Sequence, residues 1–583
     1  MAVEPFTIVE IDVGRCANVF GTAPCTAALG GAVAAKCFNT FGTCEATVAF
    51  VPGVMTLRYT LPTPGAPLAP LTFPALVSVS ADTSTVNIAG ADDSMGAFGR
   101  RGSVEIELQD FLHHDRGIDL YQAERVTGAA QADGIGYTPE SRGTHFGRLR
   151  ARWPHYAGRA CRVIEGYLVG GAVVNTVTRH YVLTGFTAPD SSGRVKLAAA
   201  DVLNLADNDR AQCPKPGAGV LAAAIGTGDT ALTLAPSGIG AQYPAAGRAV
   251  IGSEIVDYTR AGDLVTLTAR AVSGSTLSTH AAADTFQPVW TAAGVRIDDA
   301  LKDWLVNFAG VPSAFIPAAA WAAEVTRWAP DVRLWSDVCS PTGVNKLAGE
   351  LAALGVSVWW DDAAQLVGLK VNRPPDGDTV WTLTEGDNLL SIEIMDRDED
   401  RLTDLLFLTV QKDPTKSATD PANFLRAAWI QDTKAKRPEA YGDTKTRKVF
   451  CRWFNRGDDS AALTLGTRVL KRFSSAPARV KLTVSKNDRA IGLTDVLSLT
   501  SAGLQDKTGA TPASLWQVIS RKETADAVEL LAQAYQWAGR YGFALVNTAP
   551  VWASASAAEK AVGEWACDAT LKMPDGTPAY EAI

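Results

Sequence analysis

Four cysteines, Cys16, Cys25, Cys37 and Cys44, fall within one 29-residue stretch spaced C-x8-C-x11-C-x6-C. Four thiolates in a short loop-rich segment can hold one zinc ion tetrahedrally or an iron–sulfur cluster at its four corners. Small residues lie between them, including Gly21, Gly30, Gly31 and Gly42. Such residues let a backbone wrap closely and turn N–H groups toward sulfur, which stabilises a bound anionic centre. Pro24 stands directly before Cys25 and stiffens the loop. Zinc sites favour cysteine pairs two to four residues apart. Here no gap is shorter than six, which favours a [4Fe-4S] cubane, whose corners are farther apart. Zinc, disulfides formed after assembly and plain thiols stay open as alternatives. A centre with all four corners held by cysteine has no free coordination position. Its task would be to staple a segment with little core of its own.

The rest of the chain offers little chemistry, and no catalytic residue is assigned. There is no phosphate-binding GxxxxGK[ST], no HExxH and no GxSxG. His113-His114-Asp115 is the one local histidine cluster among six histidines. Adjacent residues of a strand point to opposite faces, so a structural role is expected there and not a shared metal. Asp361-Asp362 reads as a turn between strands, and Trp359-Trp360 as core and interface. The other five of nine cysteines (Cys161, Cys213, Cys339, Cys451 and Cys567) are scattered singly. They are expected to be buried, inert thiols, and an odd total argues against a disulfide framework.

These residues must be positioned by several domains. A chain of 583 residues, 47% apolar, is long enough for three to five. The net charge of -8 and a pI near 5.5 give no basic surface for nucleic acid. Met1 to Glu10 lacks the basic start and apolar run of a secretory signal. No stretch approaches the roughly 20 apolar residues of a membrane span. A protein that folds in the cytoplasm and works by packing on other proteins is expected.

The pattern is mainly β with a smaller α+β part. Residues 1–60 read as a Cys-rich cluster-binding unit, followed by a proline-rich arm from Leu61 to Pro74. Residues 75–214 carry short alternating runs such as Ser103–Leu108, Arg162–Tyr167, Tyr181–Phe186 and Val195–Ala199, the pattern of a tube-like β-barrel. Residues 215–292 read as an inserted β module with a hairpin of Glu254–Tyr258 and Leu264–Thr268. Residues 293–375 form a small α+β domain. Ile297, Ala300, Leu301, Trp304, Leu305 and Phe308 make a helical face there, Trp321, Val325 and Trp328 a second, and Ser340-Pro341 starts a third helix. Residues 376–540 return to β patterns, including Ser391–Met395, Leu405–Val410 and Val480–Val484, with a helix at Leu463–Phe473. Residues 541–583 are an Ala-rich C-terminal extension.

The segment Cys16 to Cys44 resembles the cysteine loop of tail-tip proteins in long-tailed (siphovirus) bacteriophages. The likeness continues through Arg100-Arg-Gly-Ser-Val-Glu-Ile-Glu-Leu108, Gly143-Thr-His-Phe-Gly-Arg-Leu-Arg-Ala-Arg-Trp-Pro154, Asp201-Val-Leu203 and Arg210-Ala-Gln-Cys-Pro214. Ile251-Gly-Ser-Glu-Ile255, His280 with Asp284, Pro341-Thr-Gly-Val344 and Trp359-Trp-Asp361 complete it. It covers residues 10 to 540, and its force lies in the order of the motifs. One departure is that the cysteine loop here is N-terminal, whereas related proteins can carry it late in the chain or in a separate subunit. The resemblance implies a non-enzymatic baseplate hub, a homotrimeric ring at the end of the tail tube, with Cys16, Cys25, Cys37 and Cys44 holding an iron–sulfur cluster. Two tube-like barrels per subunit would match three chains to a six-fold tube. Implied partners are distal tail and tube proteins, the tape-measure protein, other tip or fibre proteins, and DNA only in transit through the lumen. The implied place is the virion tail tip, after assembly in the host bacterial cytoplasm. A tail-associated peptidoglycan hydrolase and a receptor-binding tail protein are the competing readings.

Overall fold

The chain is mainly β with a smaller α+β part in a computed structural model. The structure describes residues 3–28, 35–62, 70–90, 96–170, 172–395, 401–433, 435–456, 460–474, 476–524 and 527–535, with residues 554, 556 and 557. The rest of the expected C-terminal extension, Cys567 included, lies outside the described residues, as do residues 63–69 of the proline-rich arm. No helix among them is long and apolar enough to cross a membrane. The chain divides into two compact units.

The first unit comprises residues 1–83, 101–204 and 360–366. Its strands are β1 (Val3–Cys16), β2 (Pro52–Thr60), β3 (Thr72–Phe73), β4 (Leu76–Ala81), β5 (Ser103–Gln109), β6 (Ala160–Val169), β7 (Ala172–Phe186) and β8 (Arg194–Ala200). They form one sheet in the order β3-β2-β1-β6-β7-β8-β5-β4. Eight strands laid flat would hold their outer members roughly 34 Å apart. Yet β3 and β4 stand at opposite ends of the order and are joined by Pro74 and Ala75 alone, a span of at most about 11 Å. The sheet must therefore curl on itself as a barrel. Val9, Ile11, Leu57, Ile106, Leu108, Cys161 and Leu197 fill it, each fully buried. Helix α1 (Gln122–Thr127) and α2 (His145–Arg152) lie between β5 and β6 in the chain, and Phe146 of α2 joins the core. The pairing runs across residue 60, because β1 and β2 share this sheet with strands from residues 76–200.

The second unit comprises residues 84–100, 205–359 and 367–583. Its β module is a six-stranded sheet of β9 (Val220–Leu221), β10 (Ala231–Ala235), β11 (Ala246–Ile251), β12 (Glu254–Ala261), β13 (Leu264–Ala269) and β14 (Phe286–Pro288), ordered β9-β10-β13-β12-β11-β14. Gly262 turns the expected β12–β13 hairpin at φ +62°. The fully buried Glu254 pins the loop beyond that hairpin. It accepts bonds from Arg270 Nε at 2.9 Å and Nη2 at 2.8 Å, the Ser278 N–H at 3.0 Å and His280 Nε2 at 2.9 Å.

The α+β part pairs β15 (Trp290–Val295) with β16 (Leu334–Val338) and carries α3 (Ile297–Asp303), α4 (Ala318–Trp328) and α5 (Val344–Ala352). The first expected helix continues beyond α3 as a π-helical turn, Trp304–Phe308. The third begins at Val344 and not at Pro341, because Thr342–Gly343 pairs with Gln212–Cys213 as a short strand. A hairpin of β17 (Val356–Asp361) and β18 (Leu366–Val371) follows.

A second curled sheet is built from β19 (Val380–Thr384), β20 (Leu389–Met395), β24 (Arg479–Ser485), β25 (Val496–Thr500), β26 (Ser514–Glu523) and β27 (Ala527–Ala534). Between β20 and β24 the chain makes a three-stranded sheet of β21 (Asp404–Gln411), β22 (Phe424–Gln431) and β23 (Thr446–Phe450), then α6 (Ser460–Phe473). The large sheet runs β19-β25-β26-β27-β24-β20. Its outer strands are again chain neighbours, joined by a turn in which the Asp387 N–H donates to the Thr384 carbonyl at 3.1 Å. Val480, Leu482, Leu497, Val518 and Leu530 form its core.

Glu254 sets a pH dependence for the β module. Burial pushes its carboxyl up, but the bonds from Arg270, Ser278 and His280 outweigh that and hold it at about 2. Its stabilisation is therefore complete above about pH 4.3, the unfolded value, and is lost as pH falls through about 2. Glu254→Gln should remove that acid-dependent loss and cost about 3–5 kcal/mol near neutral pH by stranding Arg270. Denaturant midpoints measured from pH 2 to 7 check both effects.

Candidate metal centre

The cysteine loop is the connection between β1 and β2, so the barrel fixes both of its ends. Cys16 is the last residue of β1 and pairs with Pro52, the first of β2. Cys16 is buried, and Cys25, Cys37 and Cys44 are half-buried. All eight described cysteines are free thiols. Gly30 and Gly31 lie outside the described residues.

Asn39 ties two of the four together. It holds a left-handed φ of +58°. Its carbonyl accepts the Cys16 N–H at 2.7 Å, and its own N–H favours the Cys37 thiolate. Two other N–H groups of the loop, expected to face sulfur, are used by carbonyls. Those of Cys25 and Cys44 donate to the carbonyls of Thr22 and Phe41, at 2.9 and 3.2 Å. Burial pushes the Cys37 thiol up against the pull of the Asn39 N–H, and the charges of Cys44, Cys25 and Cys16 push it further. All three other cysteines thus lie within electrostatic reach of Cys37. No three His, Cys, Asp or Glu side chains among the described residues are close enough to share one metal ion. Four thiols are the donor type a thiolate-ligated centre takes, although this structure does not gather three of them around one ion.

The rest of the loop rests on neighbouring side chains. The Phe20 N–H donates to the Tyr121 hydroxyl at 2.9 Å. The Lys36 ammonium pairs with Glu124 and lies 4.7 Å over the Tyr121 ring. The Thr40 hydroxyl donates to the Arg152 carbonyl and lies 3.0 Å from the Thr43 hydroxyl.

The remaining sequence candidates have structural partners. The His113 and His114 rings are 4.3 Å apart, not on opposite faces, because residues 110–115 form no strand. Each Nδ1 accepts an N–H two residues on, from Asp115 at 3.0 Å and Arg116 at 2.9 Å. Asp115 pairs with Arg148 at 2.9 Å and Arg152 at 2.8 Å. His145 is pushed down to about 3 by burial, lies 3.0 Å from the Tyr59 hydroxyl and stacks on Phe111. Asp361 caps its turn by accepting the N–H groups of Ala363 and Ala364, whereas Asp362 pairs with Arg179 at 2.7 Å. Trp360 is buried and donates to the His180 carbonyl at 2.9 Å. Cys161, Cys213, Cys339 and Cys451 are buried, and burial pushes their thiols up, to about 12 for Cys161, Cys339 and Cys451. Asn39 and the residues beneath the loop were not among the sequence candidates. An Asn two residues after a cysteine was the one local signal for Asn39, since Asn tolerates the left-handed region.

No protein-family model matches the chain, and no curated protein matches it. Among solved structures it is similar to the 43 kDa tail protein of prophage MuSo2 from Shewanella oneidensis, at 8% identity and a TM-score of 0.34, over 79% of this chain and 97% of that one. It is similar to a tail protein from Neisseria meningitidis MC58, at 10% identity and 0.33, over 78% and 97%. A third is an E. coli component of the type VI secretion system, itself described as similar in structure to the T4 bacteriophage tail proteins gp27 and gp5, at 7% identity and 0.33, over 82% and 78%. Scores at this level leave the fold to be argued from the chain's own strand order.

Asn39→Val should destabilise the first unit by about 1–2 kcal/mol, the cost of a left-handed φ for a side chain branched at Cβ, while Asn39→Gly should not. Thermal melts of the two variants beside the wild type check this.

Proposed function

We propose that this chain is a structural virion protein of a long-tailed bacteriophage, a subunit of the baseplate or tail-tip hub ring that joins the tail tube to the tip. The observation that carries the reading is the pair of curled β-sheets, one in each unit, whose outer strands are chain neighbours. Two tube-like barrels per chain make six in a trimer, which lets a three-fold ring meet a six-fold tube. The ordered motifs from Arg100 to Asp361 point the same way. In this role the protein is not an enzyme. It packs on other copies of itself, on distal tail and tube proteins and on tip or fibre proteins. It takes part in host attachment and genome delivery, passing the tape-measure protein and then DNA through its lumen. It is assembled in the host cytoplasm and ends at the virion tail tip.

Within this reading Cys16, Cys25, Cys37 and Cys44 hold a [4Fe-4S] cluster. The local spacing of the four cysteines, and the push of the other three on the Cys37 thiol, support that assignment. Such a centre would supply a covalent cross-link of the loop and no turnover. The chain's own part is to bring the thiols together, through the β1–β2 pairing and the Asn39 clip.

Electron micrographs of the purified protein in vitreous ice test the hub reading. Rings of three chains with six lobes around an axial channel are expected. Monomers at micromolar concentration, or rings without a channel, contradict it.

A further inference from the structure

Beneath the cysteine loop lies a buried ion pair. Arg125, on α1, is 1% exposed, and its Nε donates to Asp119 Oδ2 at 2.6 Å. Asp119 is itself held by the Tyr121 N–H at 3.0 Å on its other oxygen. A buried pair of this kind contributes little net stability, because desolvation offsets the attraction. What it does here is aim the rest of the guanidinium. Nη2 donates to the carbonyls of two successive loop residues, Lys36 at 2.9 Å and Cys37 at 2.7 Å. The next residue, Phe38, has the Arg125 Cζ 3.6 Å and the Arg152 Cζ 3.9 Å from its ring centroid. One face has no room for two guanidinium groups at that distance, so they take opposite faces. One arginine thus holds the backbone of Cys37 and clamps the side chain that follows it.

We infer that Arg125 is a positioning residue for the cysteine centre, holding the Cys37 arm in place. The inference rests on the reading of the loop as a cluster site. A lysine cannot replace Arg125, because a single ammonium cannot bond Asp119 and both carbonyls in one plane.

The test compares the wild type with Arg125→Lys and with the double variant Arg125→Met/Asp119→Asn, which removes the ion pair without stranding a carboxylate. Each full-length protein is purified anaerobically, and its iron content is measured. Iron loss to excess chelator is then followed by bleaching of the visible band, and each metal-free form is melted. Supporting partners of metal ligands typically change affinity 10–100-fold. Both variants should therefore bleach at least about tenfold faster than the wild type, with metal-free melts close to it. Bleaching at the wild-type rate in both variants overturns this inference alone, and a lowered metal-free melt with unchanged bleaching does the same by marking Arg125 as merely structural. A wild-type chain that carries no iron overturns the cluster reading, and this inference with it.

Discussion

Sheet closure is the constraint on which the rest of the structure depends. In both units the two outer strands of a large sheet are joined by a link too short to span a flat sheet. The chain can satisfy that link only by curling the sheet. Curling turns one face inward, and the alternating apolar residues of β1, β5, β6 and β8 then share one enclosed core.

The cysteine loop inherits its order from that closure. Fixing a loop backbone costs on the order of 1–2 kcal/mol per residue, and the described part of this loop buries little apolar surface. Val19, Phe41, Val48 and Val51 are all exposed. The offset must come from anchors at defined points. β1–β2 pairing fixes the ends, Asn39 joins the Cys16 and Cys37 arms, Tyr121 holds Phe20, and Arg125 holds Lys36 and Cys37. A metal centre would add cross-links between arms that these anchors already bring near one another.

Local patterns carried much of the fold. The runs read as strands at Ser103–Leu108, Tyr181–Phe186 and Val480–Val484 are strands, and the helix read at Leu463–Phe473 spans Ser460–Phe473. What local patterns could not carry was pairing at a distance. Nothing within residues 1–60 shows that β1 will lie against β6, about 150 residues on, or that Arg125 will reach Cys37. The displaced start of α5 has the same cause, since Thr342–Gly343 is claimed by a strand from residues 212–213. The cysteines were visible as a cluster because their spacing is local. The residues that position them were not, because those contacts are made only once the barrel closes.

The proposed hub role would place this chain in the tail tip of a phage particle. Its most direct test is immunogold labelling of intact virions with an antibody raised against the β module. Gold at the tail end distal to the capsid, and nowhere else, is the result expected. Gold along the whole tail or on the capsid, or none on virions that carry the chain by mass spectrometry, would contradict the account.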